Sequence, residues 1–272
     1  MSPHADRSDR AAADLVPAIS PRLVRLFGRY CRGFIRRHFH SVRTLESHRL
    51  PGAFPDLSVT VFINHSSWWD PLFCLFLAHA HFPGRDAFGP IDAAALARYR
   101  MLARLGFFGV ERGDARDVVS FLRTATAILQ SPKRMLWLTP QGEFADARKR
   151  PAELQRGIAH LAARVAPAVF IPLAIEYSFW EERLPEVLLA WGTPIFTANH
   201  RDSCGVDDWS EAFARGLTDT QDALAAAAQR REPAEWSIAL RGGRGTSRIY
   251  DGWRAFRAGI AGRSFRADHS DL

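Results

Sequence analysis

The 272-residue sequence predicts an α/β fold. A single domain with a mixed, largely parallel central sheet flanked by helices is expected, preceded by a basic amphipathic N-terminal helix. Three observations carry this. Between about residues 58 and 195, apolar runs of strand length alternate with longer stretches of helical period. The composition, 47% apolar and 24% charged, is that of an ordinary globular chain with a sizeable core. No stretch in between reads as a linker. The organisation expected is a mobile tail over 1–18, the amphipathic helix over 19–45, the main domain over 46–235 and a basic tail over 236–272.

Taken in order, residues 1–18 are polar and alanine-rich with no cap. Ser20-Pro21 then supplies an N-cap and a proline at the first helical position, starting a helix to about Phe39. Arg22, Arg25, Arg29, Arg32 and Arg36 fall on one narrow stripe of it. Leu23, Leu26, Phe27, Tyr30, Cys31, Phe34 and Ile35 fall on the other side. Two readings are open: a helix lying in a lipid interface, or one packed on the core with a solvated basic face. VTVFI at 59–63 reads as a strand, PLFCLFLAHAHF as a helix, and IDAAALARYRMLARLG as a helix ending at Gly106. Next come a short FFGVER strand, the helix DARDVVSFLRTATAILQ, the buried strand MLWLT and the polar loop PQGEFADARKRP. The helix AELQRGIAHLAARV, the strands AVFIPLAIEY and VLLAWG, and a helix from about Asp207 to Arg230 complete the domain.

The net charge of +7 points to a negatively charged partner. Almost all of the positive charge is arginine, the only lysines being Lys133 and Lys149. Cys31, Cys74 and Cys204 are scattered without metal-ligand spacing and fit a reducing compartment. The N-terminus lacks the apolar core of a signal peptide, and no run approaches the length of a membrane span. A cytoplasmic protein, peripheral on the inner face of the cell membrane, is therefore expected. Neither the aromatic–basic interleaving of a nucleic-acid platform nor a recognition helix is present, so no nucleic-acid partner is expected.

In open α/β sheets the chemistry collects in loops beyond the carboxyl ends of strands. NHSSWWD, residues 64–70, occupies such a loop, and Pro71 favours a helix start at Asp70. A compact turn there folds His65 back toward Asp70, and a carboxylate bonded to one imidazole nitrogen leaves the other free to take a proton. An isolated pair at this spacing is more often a helix cap beside a polar loop residue. Two further loops add weight. Arg112 emerges from the FFGVER strand, placed to grip a phosphate or to pair with Glu111 or Asp114. Pro140-Gln141-Gly142 follows a buried strand and precedes Arg148, Lys149 and Arg150, either as a ligand loop or as plain surface.

The order and spacing of these loops resemble the glycerolipid acyltransferases, the group that includes 1-acylglycerol-3-phosphate acyltransferases. N-H-S-S-W-W-D resembles the first family motif, F-G-V-E-R the second, T-P-Q-G-E the third and F-I-P-L-A the fourth, over roughly residues 55 to 195. The resemblance implies acyl transfer from acyl-CoA or acyl carrier protein to a hydroxyl of a lysophospholipid-like acceptor at a membrane surface. His65 and Asp70 would be catalytic. Gly109, Arg112, Gln141, Gly142, Glu143 and Arg148 would lie on the acceptor side, and Pro172 on the acyl-donor side. No cofactor or metal is implied beyond the thioester co-substrate; the expected partners are that donor, a lysolipid and an anionic membrane surface. The third motif departs from the family. Thr139-Pro140-Gln141-Gly142-Glu143-Phe144 stands where members usually have Phe-Pro-Glu-Gly-Thr-Arg, so an amide replaces a carboxylate and the arginine is missing. A hydrolase using the same pair on water, and a non-enzymatic basic surface protein, are the alternatives.

Overall fold

In the computed structural model, residues 15–52, 54–111, 115–198 and 204–243 are described. The alternating runs become, in chain order, α1 (Pro21–His38), β1 (Ser41–Leu45), β2 (Ser58–Ile63), α2 (Asp70–His81), β3 (Asp86–Asp92), α3 (Ala93–Arg98), β4 (Phe107–Val110) and α4 (Ala115–Leu129). They continue with β5 (Arg134–Leu138), α5 (Gly157–Ala162), β6 (Ala168–Ser178), β7 (Glu186–Trp191), β8 (Ile195–Phe196), α6 (Val206–Arg230) and β9 (Trp236–Arg241). The strands form one sheet in the order β4-β3-β5-β2-β6-β7-β1-β9, with β8 against β6. Five pairings are parallel: β1–β7, β2–β5, β2–β6, β3–β4 and β3–β5. Among the described residues, only β1–β9, β6–β7 and β6–β8 are antiparallel, so the sheet is mixed and mostly parallel.

Helices cover both faces, which is why the central strands are apolar throughout rather than alternating. On β2, Val59, Val61 and Ile63 enter the core beneath α1 and α2. Phe62 enters the opposite core, under α4, α5 and α6. The same division runs along β6, where Val169, Ile171, Leu173 and Ile175 face the α1/α2 layer and Ala168 and Phe170 face the other.

Several expectations need correction. Residues 41–45 lie in the sheet as β1, between β7 and β9, and are not the end of an N-terminal helix. Residues 236–241 form β9, hydrogen-bonded antiparallel to β1, so the main domain extends past 235 into the stretch expected as a tail. Both strands are short and carry polar or charged residues; their burial is made by the partner strand and not by their own pattern. The buried Arg43 is held by Glu186, which also accepts from Ser41. The helix expected over 91–106 begins instead as the C-terminal end of β3 and continues as α3 and a 3-10 turn over Arg100–Leu105. It does end at Gly106, whose φ of +102° admits a close approach to Ala87 O. The helix expected from Ala152 is confined to Gly157–Ala162.

In α1, Ser20 Oγ accepts from Leu23 N–H as its cap. Only Cys31 and Ile35 are fully buried, and Leu26 and Tyr30 remain exposed. The expected tail over 1–14 and the basic stretch from 244 onward lie outside the described residues.

Candidate active site

Strands β2, β5, β3 and β4 run parallel, so the loops after Ile63, Leu138, Asp92 and Val110 all leave from one edge of the sheet. Strand β6 pairs parallel with β2 as far as Ile63–Leu173 and then runs on to Ser178. That overhang is a shelf behind the 64–70 loop. Asn64, fully buried, donates from Nδ2 to Ile175 O at 3.0 Å and accepts from Ile175 N–H at 2.8 Å. Its side chain thus continues the β2–β6 ladder for one more step where the backbone turns away.

His65 follows directly. Its backbone N–H donates to Gln141 Oε1 at 2.6 Å, and its carbonyl accepts from Ala145 N–H at 2.8 Å, tying the first and third motif loops together. Asp70 opens α2 with Pro71 behind it, and its side chain is 0% exposed. Asp70 Oδ2 lies 2.8 Å from His65 Nδ1 and accepts from Ser67 N–H at 2.9 Å. Asp70 Oδ1 accepts from Tyr177 Oη at 2.7 Å. Three donors thus converge on this buried carboxylate and stand in place of water. Because the carboxylate only accepts, His65 Nδ1 carries the proton and Nε2 has the free lone pair. At 15% side-chain exposure, the imidazole is reachable yet fixed. An imidazole held in this way has the geometry that a general base needs.

The surroundings raise the pKa of the nearby acids. Burial pushes the Cys74 thiol, one turn along α2, well above its usual range, and the Asp70 charge adds to this. Burial does the same to the Tyr177 phenol, followed by the charge of Asp70 and the hydrogen bond to it. Both groups are neutral wherever an enzyme operates. Among the described residues, no cluster of His, Cys, Asp and Glu is arranged to hold a metal.

The remaining residues named from the sequence are not all gathered here. Gln141 is buried and carries His65's amide; Gly142, at φ +76°, turns the chain against Gln155. Glu143 and Arg148 are exposed on the loop, with Arg148 Nε 3.3 Å from Asp146. Phe144, where the family motif has its arginine, lies with its ring centroid 4.3 Å from that of His65 and is 59% exposed. Gly109 lies in β4 opposite Ile91, three strands from β2 on the same edge, where a Cβ would press on Ala93. Arg112 falls outside the described residues. The ring of Pro172 lies against Gly192, just after β7, and near Gly216 of α6, in the layer opposite α2. Sequence reading missed Asn64 and Tyr177 as site residues. Only the period-2 succession Leu173, Ile175, Tyr177, ending on a polar-tipped ring, hints at the latter.

A family model described as Acyltransferase matches residues 47–176, a span that includes His65, Asp70 and the third-motif loop. Residues 47–176 are an acyltransferase-family domain. No curated protein matches the chain. The chain is similar in fold to the crystal structure of the 1-acyl-sn-glycerophosphate (LPA) acyltransferase, PlsC, from Thermotoga maritima, at TM-score 0.50 and 14% identity, covering 75% of this chain and 78% of that one. The likeness spans more than the acyltransferase domain itself, and at that identity it speaks for the architecture.

Proposed function

We propose that the protein is an O-acyltransferase that moves a fatty acyl chain from a thioester donor, acyl-CoA or acyl carrier protein, to a hydroxyl of a lysophospholipid-like acceptor at a membrane surface. The observation that carries this is the His65–Asp70 pair, fixed at 2.8 Å at the carboxyl edge of the sheet inside an acyltransferase-family domain. His65 Nε2 removes the proton from the acceptor hydroxyl as its oxygen bonds to the thioester carbonyl carbon. Asp70 stabilises the imidazolium that results. The tetrahedral intermediate expels the thiolate, which takes the proton back from His65, leaving an ester and a free thiol. No acyl-enzyme forms. A glycerophosphate-type acceptor is supported by the structural neighbour, which is a 1-acyl-sn-glycerophosphate (LPA) acyltransferase.

The membrane surface is supported by α1. Exposed Leu26 and Tyr30 share that helix with the arginine stripe. A run of ring contacts leads from Tyr30 through Phe34 and Trp69 to Trp68, which is 78% exposed beside the catalytic motif. Indole and phenol rings favour the boundary between acyl chains and head groups. No helix among the described residues is long and apolar enough to cross a membrane.

Purified protein with labelled acyl-CoA, incubated with and without lysophosphatidic acid, tests the reading. A labelled diacyl product that disappears in His65→Ala is expected. Free fatty acid as the sole product would show a hydrolase instead, and wild-type transfer by His65→Ala would overturn the assignment.

A further inference from the structure

The carboxylate that orients His65 is itself oriented from the opposite side. Tyr177 comes from β6, more than a hundred residues along the chain, on the part of the strand that overhangs β2. Its hydroxyl donates to Asp70 Oδ1 at 2.7 Å. Its ring is clamped between Phe39, with centroids 6.0 Å apart, and Phe73, at 5.7 Å. A core position needs only the ring. A phenol whose oxygen meets a fully buried carboxylate does more.

We propose that Tyr177 is a positioning residue for the transfer reaction, acting through Asp70 to set both the orientation and the proton affinity of His65. The inference rests on His65 acting as the base. With Oδ1 engaged by Tyr177, the carboxylate is fixed about its Cβ–Cγ bond with Oδ2 toward Nδ1. The same bond spreads negative charge toward Oδ1 and weakens the pull of Oδ2 on the imidazolium proton. Without it, Asp70 holds that proton more firmly, so His65 stays charged to a higher pH and the acid limb of the rate profile moves up. The other groups around the pair do not supply this effect. Cys74, from α2, is a neutral thiol. His38, at the end of α1, is stacked on Phe34 beyond Trp69. Asp146, Arg148 and Arg150, from the third-motif loop, act on Glu176.

The test is the pH dependence of transfer by the full chain with acyl-CoA and lysophosphatidic acid. Tyr177→Phe keeps the ring and removes only the donor. Its plateau kcat is expected to fall about tenfold, with each KM within about twofold, and its acid limb to move up by roughly half a pH unit. Replacing Tyr177 by 3-fluorotyrosine leaves the shape nearly unchanged and strengthens the donor, so the limb is expected to move down. Phe73→Leu loosens the clamp with the hydroxyl still bonded, and should lower stability while the limb stays in place. The position of a limb does not depend on how much protein is folded, and the fluorotyrosine protein decides the matter if Tyr177→Phe does not fold. A limb unmoved by the hydroxyl changes overturns the role of Tyr177. If His65→Ala is inactive at the same time, the base assignment stands without it, whereas turnover by His65→Ala sinks that assignment itself.

Discussion

Replacing Asp70 by asparagine removes one charge from the site and almost no volume. In the native protein Asp70 Oδ2 accepts from His65 Nδ1 at 2.8 Å, and no part of the side chain reaches solvent. In the proposed reaction His65 takes the acceptor proton, and the two charges then sit roughly 4 Å apart, an attraction of about 4 kcal/mol at the effective dielectric of about 20 that suits such sites. Asparagine supplies none of it. If its amide nitrogen turns toward His65, it also forces the tautomer that has no free Nε2 lone pair. Four kcal/mol corresponds to about a thousandfold in rate, so Asp70→Asn is expected to lower kcat by about 10³. Acceptor and donor KM should change little, because Asp70 is too deeply buried to meet either. The assay is initial-rate transfer from labelled acyl-CoA at several pH values, with thermal unfolding confirming a native fold. A folded Asp70→Asn protein within about tenfold of wild-type kcat would refute the charge-stabilisation reasoning.

Other perturbations follow from particular contacts. Phe144→Arg restores a cation beside His65 and should raise the preference for phosphate-bearing over neutral acceptors about tenfold in kcat/KM, measured by a mixed-acceptor competition; an unchanged ratio would mean that the ring does not border the acceptor. Gly106→Ala places a Cβ 2.2 Å from Ala87 O at a φ of +102° and should cost about 3 kcal/mol or more by urea denaturation, which an unchanged midpoint would contradict. Burial holds the Glu176 carboxyl above its ordinary pKa of 4.5, so the unfolded chain ionises first and stability falls as pH rises through that value and above. Glu176→Gln escapes this loss, and its Tm should exceed the wild-type value by about 1–2 °C at pH 7 and converge with it near pH 4. A difference that does not vary with pH would point to packing instead.

How much of the site could be read in advance depended on distance along the chain. His65 and Asp70 are five residues apart in a turn bounded by a strand and a proline, so local geometry alone brings them together. Gln141 was legible as part of a loop, but its actual bond, to the amide of His65 seventy-six residues earlier, was not. Pro172 shared a motif with the site residues and yet faces the other layer, because alternation along β6 turns it toward α6.

What the sequence by itself determined were the features with short-range causes. These are the α/β alternation, the cap and proline that begin α1, the glycine that ends the helical stretch at 106, and the turn that folds an imidazole onto a carboxylate. Only the tertiary structure decided which strands are neighbours. It recruited the polar segments 41–45 and 236–241 into the sheet, let β6 overrun β2 so that Asn64 and Tyr177 could buttress the site, and laid Phe144 against His65. The reason is physical. Capping, turn geometry and periodicity are properties of a few consecutive residues, whereas strand order and overhang follow from burying two apolar faces at once, a condition that only the whole chain can meet.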